Sequence, residues 1–414
     1  MLSVSEAQQM ILSGIRRLEP ETLDLAETLG RVLAEDVVSG TDLPSFDNSS
    51  MDGYAVRAED VREASPDRPV RLPVCADIPA GHPIDLLLPA GAAARIMTGA
   101  MLPAGADAVV PVEDTDDGAR GASPLPAAVA IHRSLERGAF VRYVGDDVKR
   151  GEEVLLSGAI VRPAEIALMA AVGHTRVQVI RRPRVALFAT GDELVAPDQR
   201  PAPGQIRNVN EQATAALVER YGGVPIRLGI APDRLEAVTE KLAGAIEQRA
   251  DLIVTSAGVS VGAYDLVKEA VAAHGSIDLW RVRMRPGKPL AFGQYRGVPF
   301  FGLPGNPVSA MLTFEQFVRP VLRVMGGFSR WRKPTVDVIL LESIESDGRE
   351  TYARARVERD GDHWTARLTG GQGSNILSSL ARANALLIVP DGVEQLPAGA
   401  TAQAQMLDWP DEIG

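Results

Sequence analysis

The feature that most constrains the fold of this chain is a regular alternation of strand-like and helix-like segments after residue 183. Short apolar runs typical of buried strands are separated by longer segments with the apolar spacing of amphipathic helices. Strands joined through helices run parallel, so the alternation predicts a parallel sheet with helical crossovers. The predicted strands cover residues 185–189, 226–230, 252–255, 279–284 and 298–303. The predicted helices cover residues 212–221, 235–247, 265–273 and 308–325.

The segments on either side of this unit differ from it in the spacing of their apolar residues and in their glycine and proline content. With 414 residues, the chain is also too long for a single hydrophobic core, so we expect three or four folding units. Apolar residues at near-helical spacing predict an amphipathic helix over residues 2–18, and Pro163 is placed to start another over residues 164–171. Residues 44–147 contain short apolar runs broken by glycine and proline, which indicates a β-rich module. A small terminal sheet or barrel is predicted from strand-like runs at 336–341, 352–357, 363–368 and 385–389.

Composition excludes several classes of partner. The formal net charge of -11 argues against nucleic acid and anionic membranes, because nonspecific binding to phosphates requires an excess of lysine and arginine. Cys75 is the single cysteine, which excludes an intramolecular disulfide and a multi-cysteine metal site and suits a reducing compartment. No apolar run approaches membrane-spanning length, and the N-terminus lacks a signal-peptide pattern, so we expect a cytoplasmic location.

Ligands of open parallel sheets bind beyond the carboxyl ends of the strands, so the segment after each predicted strand is the place to look for chemistry. Thr190-Gly191-Asp192-Glu193 follows the first strand and sets carboxylates beside a glycine, although taken alone it is better interpreted as a turn with a helix-capping Asp192. Residues 256–262 are small, and their amides and hydroxyls suit a phosphate; a purely structural loop fits them equally well.

Two further segments strengthen the case for an anion pocket. In Arg285-Pro286-Gly287-Lys288-Pro289, two cations flank a rigid turn and suit an oxyanion, whereas paired cations are more often a solvated surface turn. Residues 302–309 lead directly into a helix whose first turn directs backbone donors outward, and the alternative is a connector capped by Asn306. Four such segments at one sheet edge favour a shared anion pocket over four separate turns.

Six longer motifs occur in order along the chain: PSFDNSSMDGYA at 44–55, RIMTG at 95–99, TGDEL at 190–194, SVG at 260–262, PGKP at 286–289 and PGNPVS at 304–309. Read alone, those in the β-rich module indicate only turns with capping residues. Taken together and in this order, the motifs resemble the MoeA family of molybdopterin molybdenumtransferases, which is related to the E domain of gephyrin. The resemblance covers nearly the whole chain.

The resemblance implies a multidomain α/β fold with a central three-layer α/β/α domain of the molybdopterin-binding, MogA-like type. It also implies a split N-terminal domain, an inserted β-rich domain and a C-terminal β-barrel-like domain. The expected boundaries are residues 1–43 with 148–182 for the split domain, 44–147 for the inserted domain, 183–330 for the central domain and 331–414 for the C-terminal domain.

The implied reaction inserts molybdate into adenylylated molybdopterin and releases AMP and molybdenum cofactor, with Mg²⁺ as the cation. The family forms homodimers in which the active site is shared between subunits, and a molybdopterin adenylyltransferase is a candidate partner. The acidic positions of the family need a cation, because bare carboxylates repel pyrophosphate and molybdate alike. The implied catalytic residues are Asp52, Thr98, Asp147, Glu193, Asp233 and Asp265, of which Glu193, Asp233 and Asp265 are the metal candidates.

Two further groups of residues are expected to hold the substrates. Those predicted to bind the pterin substrate and its phosphates are Thr190, Gly191, Asp192, Ser256, Gly258, Ser260, Gly262, Pro304 and Gly305. Those predicted to hold molybdate are Arg285, Lys288, Ser309, Arg354 and Ser374. The chain departs from the family pattern at Ala257, which replaces a glycine, at Arg285, which replaces a lysine, and at Asn208-Val209-Asn210, which replaces Asp-Ser-Asn.

Two other functions fit parts of the same pattern. A molybdopterin adenylyltransferase shares the central fold, but it would not carry the motifs around Asp52 and at 95–99. A non-enzymatic scaffold is the second alternative, since the gephyrin relative anchors receptors through its E domain. The retained acidic positions make an enzyme the simpler interpretation.

Overall fold

The structure is a computed structural model that describes residues 1–118, 124–256 and 263–409, without the side chains of residues 263 and 264. It divides into two compact units. The first consists of Met1–Glu21, Gly30–Ala34 and Gln178–Gly414, and the second of Thr22–Leu29 and Glu35–Val177.

The helices are α1 Val4–Ser13, α2 Pro163–Ala171, α3 Asn210–Arg220, α4 Leu235–Glu247, α5 Ala263–Ala272, α6 Pro307–Thr313, α7 Arg319–Met325 and α8 Leu377–Ala381. The strands are β1 Pro20–Asp24, β2 Val37–Val38, β3 Asn48–Ser49, β4 Gly53–Val56, β5 Val70–Ile78, β6 Ala93–Ile96, β7 Ala108–Pro111, β8 Ala128–Ile131, β9 Val141–Arg142, β10 Glu153–Leu155, β11 Arg176–Ile180, β12 Arg184–Thr190, β13 Leu194–Val195, β14 Ile206–Arg207, β15 Val224–Ala231, β16 Leu252–Ser256, β17 Gly275–Arg281, β18 Met284–Arg285, β19 Pro289–Tyr295, β20 Val298–Leu303, β21 Thr335–Leu340, β22 Ile344–Glu345, β23 Glu350–Asp360, β24 His363–Leu368, β25 Ala385–Val389, β26 Gln395–Leu396 and β27 Thr401–Met406.

The first unit is built on a six-stranded sheet in the order β15-β12-β16-β20-β19-β17. Successive residues of β12 face opposite sides of this sheet, as the period-two geometry of a strand requires. Val185 and Leu187 enter a core with α1, α3, α6 and α7, whereas Ala186 and Phe188 enter a second core with α4 and α5. A strand covered on both faces is apolar throughout, which explains the continuous apolar run of β12. The predicted three-layer α/β/α arrangement is confirmed.

The prediction of an all-parallel sheet is wrong at one edge. Strands β15, β12, β16 and β20 are parallel, but β19 is antiparallel to both β20 and β17. Strand β19 is absent from the predicted strands because Pro289 and Gly293 interrupt its apolar pattern. Gly293 is needed there, since an added Cβ would lie 1.9 Å from the carbonyl oxygen of Ser276. The strand predicted over 279–284 is instead β17, which ends at Arg281, followed by the short β18.

Two predicted helices also differ from their observed form. Helix α1 begins with a capping box, in which Ser3 Oγ accepts from the Glu6 amide at 3.2 Å and the Glu6 carboxylate accepts from the Ser3 amide at 2.7 Å. It ends at Ser13 because Gly14 caps it, so it is shorter than the predicted 2–18. The predicted helix over 308–325 contains one turn of π-helix, Phe314–Val318, between α6 and α7.

The C-terminal part of the first unit contains a closed barrel. Strand β23 pairs with both β24 and β25, and the ladder continues through β21 and β27, so five strands close on themselves. Small and branched residues such as Ala353, Ala355 and Val357 fill its core. Closure leaves no free sheet edge within the ring. The predicted barrel-like domain is therefore confirmed, although β27 was not predicted.

The second unit is β-rich, as the sequence predicts. Its main sheet has the order β7-β4-β6-β5-β8. Tyr54 and Val56 of β4 face one buried core, while Ala55 faces another on the opposite side. Helix α2 begins at Pro163, the position expected from the fixed φ of proline. Over the part of the chain that the structure describes, no helix is both long enough and apolar enough to cross a membrane.

Candidate functional site

The carboxyl ends of several strands of the central sheet lie along one edge. Parallel strands β12, β16 and β20 end at Thr190, Ser256 and Leu303, and β17 runs in the same direction because two antiparallel steps separate it from β20. The segments 190–193, 282–288 and 304–309 therefore follow strand ends at a common edge. Gly258, Ser260 and Gly262, predicted to bind substrate, lie outside the described residues, as does the departure at Ala257.

Gly191 and Glu193 are held against each other at this edge. Gly191 has a φ of 146°, a conformation that residues with a Cβ rarely adopt. Its amide donates to the Ala231 carbonyl at 3.3 Å, and a Cβ at this position would lie 2.3 Å from Glu193 Oε2. The glycine thus allows the carboxylate of Glu193 to fold over the backbone. The side chain of Glu193 remains exposed to solvent.

Other predicted acidic residues lie near the same strand ends. Asp192 Oδ1 accepts from the Asp233 amide at 3.1 Å, which brings two of the predicted residues together. Asp265 is exposed in the first turn of α5, and Ser256 is buried at the end of β16. Thr190 is buried, and its hydroxyl has no hydrogen-bond partner within the described ranges. In the same ranges, no three histidine, cysteine, aspartate or glutamate side chains form a group suited to a metal ion.

A cavity of about 400 Å³ opens beside Glu193. Its wall combines apolar side chains with polar groups, among them Asn208, Asn210 and Asn306. The Nδ2 atom of Asn210 donates to the Gly305 carbonyl at 2.7 Å, which fixes the orientation of that amide. The cavity therefore joins the segment after β12 to the segment after β20.

A short chain of hydrogen bonds leads from this cavity toward the barrel. Asn306 Nδ2 donates to Ser374 Oγ at 3.1 Å. The neighbouring Gly373 carbonyl accepts from Arg354 Nη2 at 3.0 Å. Three predicted elements, the segment at 304–309, Ser374 and Arg354, are thereby connected. Ser309, also predicted to hold molybdate, is buried in α6 three residues after Asn306.

Arg354 is fully buried, which is exceptional for a guanidinium. Its Nε donates to Ser379 Oγ at 3.0 Å and its Nη1 to the Gln372 carbonyl at 3.1 Å. Its Nη2 donates to the carbonyls of Gly371 and Gly373 at 2.9 and 3.0 Å. These bonds tie the loop at 371–373 to β23. Burial lowers the pKa of Arg354, and the nearby charge of Arg285 lowers that pKa further.

Arg285 and Arg354 line a second cavity, of about 360 Å³. Pro286, Thr351 and Gln372 complete this side of its wall. The peptide bond between Arg285 and Pro286 is cis. Arg285 can offer hydrogen-bond donors to an oxyanion in this cavity, whereas Arg354, whose donors are used on protein groups, adds positive charge, and Glu345 lines the same wall. Lys288, the other predicted cation of this segment, is exposed to solvent.

The remaining predicted residues, Asp52, Thr98 and Asp147, belong to the second unit. Asp52 Oδ1 accepts from both the amide and the hydroxyl of Thr98, each at 2.7 Å. The carboxylate therefore organises the turn after β6 while both side chains stay exposed. Asp147 is also exposed, and its amide donates to the Leu43 carbonyl at 3.0 Å.

Three polar residues of the site were absent from the predicted set. Asn210 and Asn306 each form a hydrogen bond that connects two segments, and Asn208 lines the cavity beside Glu193. In the sequence, Asn208 and Asn210 stand out only as a departure from the family pattern. Their position at the start of α3, at the edge where the other loops lie, is the signal that could identify them.

Comparisons with known proteins cover the same regions. The N-terminal region of MoeA (domains I and II) matches residues 2–173, a probable molybdopterin binding domain matches residues 186–324, and the C-terminal region of MoeA (domain IV) matches residues 337–407. A molybdopterin molybdenumtransferase 2 of Mycobacterium tuberculosis is 41% identical over 97% of this chain and 99% of its own length. A molybdopterin molybdenumtransferase of Nostoc is 40% identical over 96% of this chain and 92% of its own length.

Solved structures agree with this assignment. The crystal structure of a molybdopterin biosynthesis MoeA protein from Pyrococcus horikoshii superposes with a TM-score of 0.80 at 31% identity, covering 99% of this chain and 100% of that one. A similarity of this extent, at this identity and across three matched regions, leaves one assignment: the chain belongs to the MoeA family.

Proposed function

We propose that this chain inserts molybdate into adenylylated molybdopterin and releases AMP and molybdenum cofactor. Its family makes it a transferase of molybdenum cofactor biosynthesis. The observation that carries the specific reaction is a pair of cavities in the first unit. One has the Glu193 carboxylate and Asn306 in its wall, and the other has Arg285, Arg354 and Gln372. The hydrogen bond from Asn306 to Ser374 links the first cavity to the loop that holds Gln372. This division suits a cation-bound pyrophosphate at one end and an oxyanion at the other.

Magnesium is the cation that fits the acidic residues. Mg²⁺ prefers oxygen ligands and is usually bound through one or two carboxylates together with water and substrate phosphates, rather than by a complete protein cage. Glu193, Asp233 and Asp265 are exposed and offer only oxygen, so they suit such an incomplete site. When bound, the ion would neutralise charge on the pyrophosphate as its bond is cleaved. Glu193, set close to Gly191, would orient that end of the substrate.

The cationic cavity would hold molybdate before insertion. Arg285 and Lys288 would supply positive charge and hydrogen-bond donors, and Ser309 and Ser374 would supply hydroxyl groups. Arg354 already uses four hydrogen bonds on the loop at 371–373 and on Ser379. Arg354 would therefore contribute to molybdate binding through its positive charge and by fixing the loop at 371–373, which precedes Ser374.

The proposed activity is tested by mixing the purified protein with adenylylated molybdopterin and Mg²⁺, with and without molybdate. We expect AMP release that depends on molybdate, because bond cleavage is coupled to metal insertion. An adenylyltransferase would instead form adenylylated molybdopterin from molybdopterin and ATP, and a scaffold would turn over neither substrate. AMP release at the same rate without molybdate, or no release at all, would contradict the proposal.

We also propose a homodimer in which Asp52, Thr98 and Asp147 of one subunit complete the active site of the other. Asp52→Ala and Glu193→Ala proteins should each be inactive, whereas equal mixing after subunit exchange should restore about a quarter of the wild-type activity, since half of the dimers are mixed and each has one intact site. The measurement is molybdate-dependent AMP release before and after exchange. If the mixture stays inactive although mixed dimers form, both residues serve the same chain.

The arrangement of domains and the cellular setting complete the proposal. We propose domains at residues 1–43 with 148–182, 44–147, 183–330 and 331–414, and the separate family matches that end at 173, begin at 186 and resume at 337 support the two later boundaries. The single exposed cysteine, Cys75, suits a reducing cytoplasm. A molybdopterin adenylyltransferase, which would make the substrate, is the candidate partner.

A further inference from the structure

A cluster of buried cations lies away from the proposed active site. Arg319 and Lys333 lie beside Glu315 of the π-helical turn Phe314–Val318, and the partly buried Arg323 lies beside Arg319. The side chains of Lys333 and Glu315 are 6% and 5% exposed, and their Nζ and Oε2 atoms lie 3.2 Å apart. Two cations thus share one carboxylate in a protein whose net charge is -11. A local charge of the opposite sign to the whole molecule is the electrostatic condition for recognising an anion.

The hydrogen-bonding capacity of these cations is incompletely used. Arg319 Nη1 donates to the Trp331 carbonyl at 2.6 Å, but Arg319 Nε and Arg323 Nε have no hydrogen-bond partner within the residues that the structure describes, and Lys333 Nζ, which carries three donors, is ion-paired with Glu315 Oε2. Leaving a buried charged donor unpaired costs about 1–3 kcal/mol or more. Burial lowers the pKa of Arg323 to about 10 and also lowers the pKa values of Arg319 and Lys333, because removal from water destabilises the charged form of each side chain.

A cavity of about 260 Å³ opens onto this cluster. Arg319 and Lys333 line it together with the exposed Arg332. One water molecule occupies roughly 30 Å³ of liquid, so a phosphate-sized ion fits. The carboxylates in the wall are occupied: Glu315 Oε1 accepts from the Tyr221 hydroxyl at 2.6 Å, and Glu350 accepts from Tyr352.

We propose that the cavity between α1, the π-helical turn and Lys333 is a binding site for a tetrahedral oxyanion of the phosphate class, held by Lys333 and Arg319. The site is separate from the cavity of Arg285 and Arg354, because the two share only Tyr352 in their walls. The bound ion would accept the unused hydrogen bonds of both cations. It would also balance the charge around Glu315, so that occupancy stabilises the junction of α1, the π-helical turn and the barrel.

The test is a calorimetric titration of the full-length protein with inorganic phosphate, in a phosphate-free buffer at constant ionic strength. We expect a saturable site, distinct from any binding at the cavity of Arg285 and Arg354, that Lys333→Met or Arg319→Gln weakens by roughly tenfold or more, the loss of a charge-assisted hydrogen bond. Arg330→Met removes an exposed cation from the same segment and should leave affinity unchanged. A double variant, Arg285→Ala with Lys288→Ala, should also retain this site.

A second variant separates anion binding from a purely structural ion pair. Glu315→Gln removes the carboxylate that competes for Lys333, so phosphate should bind more tightly and should raise the unfolding temperature more than in the wild type. If Lys333→Met fails to fold, the affinity of Glu315→Gln for phosphate tests the proposal instead. The proposal is overturned if the Arg285 and Lys288 double variant shows no saturable binding, if Lys333→Met in that background leaves binding unchanged, or if Glu315→Gln does not tighten it.

Discussion

Replacing Glu193 with glutamine is expected to lower molybdate-dependent AMP release by about two to three orders of magnitude. The substitution keeps the size and shape of the side chain but removes the negative charge, so a Mg²⁺ ion on the pyrophosphate would lose one of its few protein ligands. Glu193 is exposed, so the free energy of unfolding should change by less than about 0.5 kcal/mol. The measurement is the rate of AMP release at saturating substrate over a range of Mg²⁺ concentrations.

Glu240→Gln provides the matched control, because Glu240 is an exposed glutamate of α4 in the same unit and lines neither of the cavities described at the sheet edge. Its rate should equal that of the wild type. Higher Mg²⁺ should restore part of the activity of Glu193→Gln if the residue acts through the ion. Normal turnover by Glu193→Gln would remove this residue from the catalytic set.

Replacing Arg354 with methionine is expected to destabilise the protein by about 3–5 kcal/mol. Methionine fills much of the same space but donates no hydrogen bond, so three carbonyls of the loop at 371–373 and the Ser379 hydroxyl lose their donor. Arg354→Lys should recover only a small part of the loss, because an ammonium group cannot reproduce the planar fork of the guanidinium. Urea unfolding followed by tryptophan fluorescence measures the effect.

Arg356→Met is the control for this prediction. Arg356 lies two residues along the same strand, β23, with its side chain partly exposed and paired to Glu358 at 3.4 Å. Its replacement should cost less than about 1 kcal/mol. Equal destabilisation by the two variants would show that the hydrogen bonds of Arg354 do not hold the loop.

The fold could be predicted where local pattern and tertiary environment agree. Helix α4 begins and ends at the predicted residues, 235 and 247, because its apolar spacing matches the core that it covers. Strand β19 could not be predicted, since Gly293 serves a close contact with a neighbouring strand that no local pattern reveals. Likewise α1 is shorter than its apolar pattern, because the cap at Gly14 decides where it ends.

The site was predictable as a set of segments but not as a set of contacts. The topology rule places the segments after β12, β17 and β20 at one edge, and the sequence identifies their residues. The bond between Asn306 and Ser374 joins residues 68 positions apart, and Arg354 looks like any strand arginine until its complete burial is seen. Such contacts depend on how the barrel and the α/β layers pack, which local residue types do not determine.

A single-turnover experiment tests the proposed reaction most directly. The protein, in excess over adenylylated molybdopterin, is mixed with Mg²⁺ and molybdate, and the AMP released and the molybdenum bound to pterin are quantified in the same samples over time. Insertion coupled to cleavage predicts that both products appear at the same rate and in equal amounts. AMP that accumulates without pterin-bound molybdenum would contradict the account, because cleavage would then be simple hydrolysis.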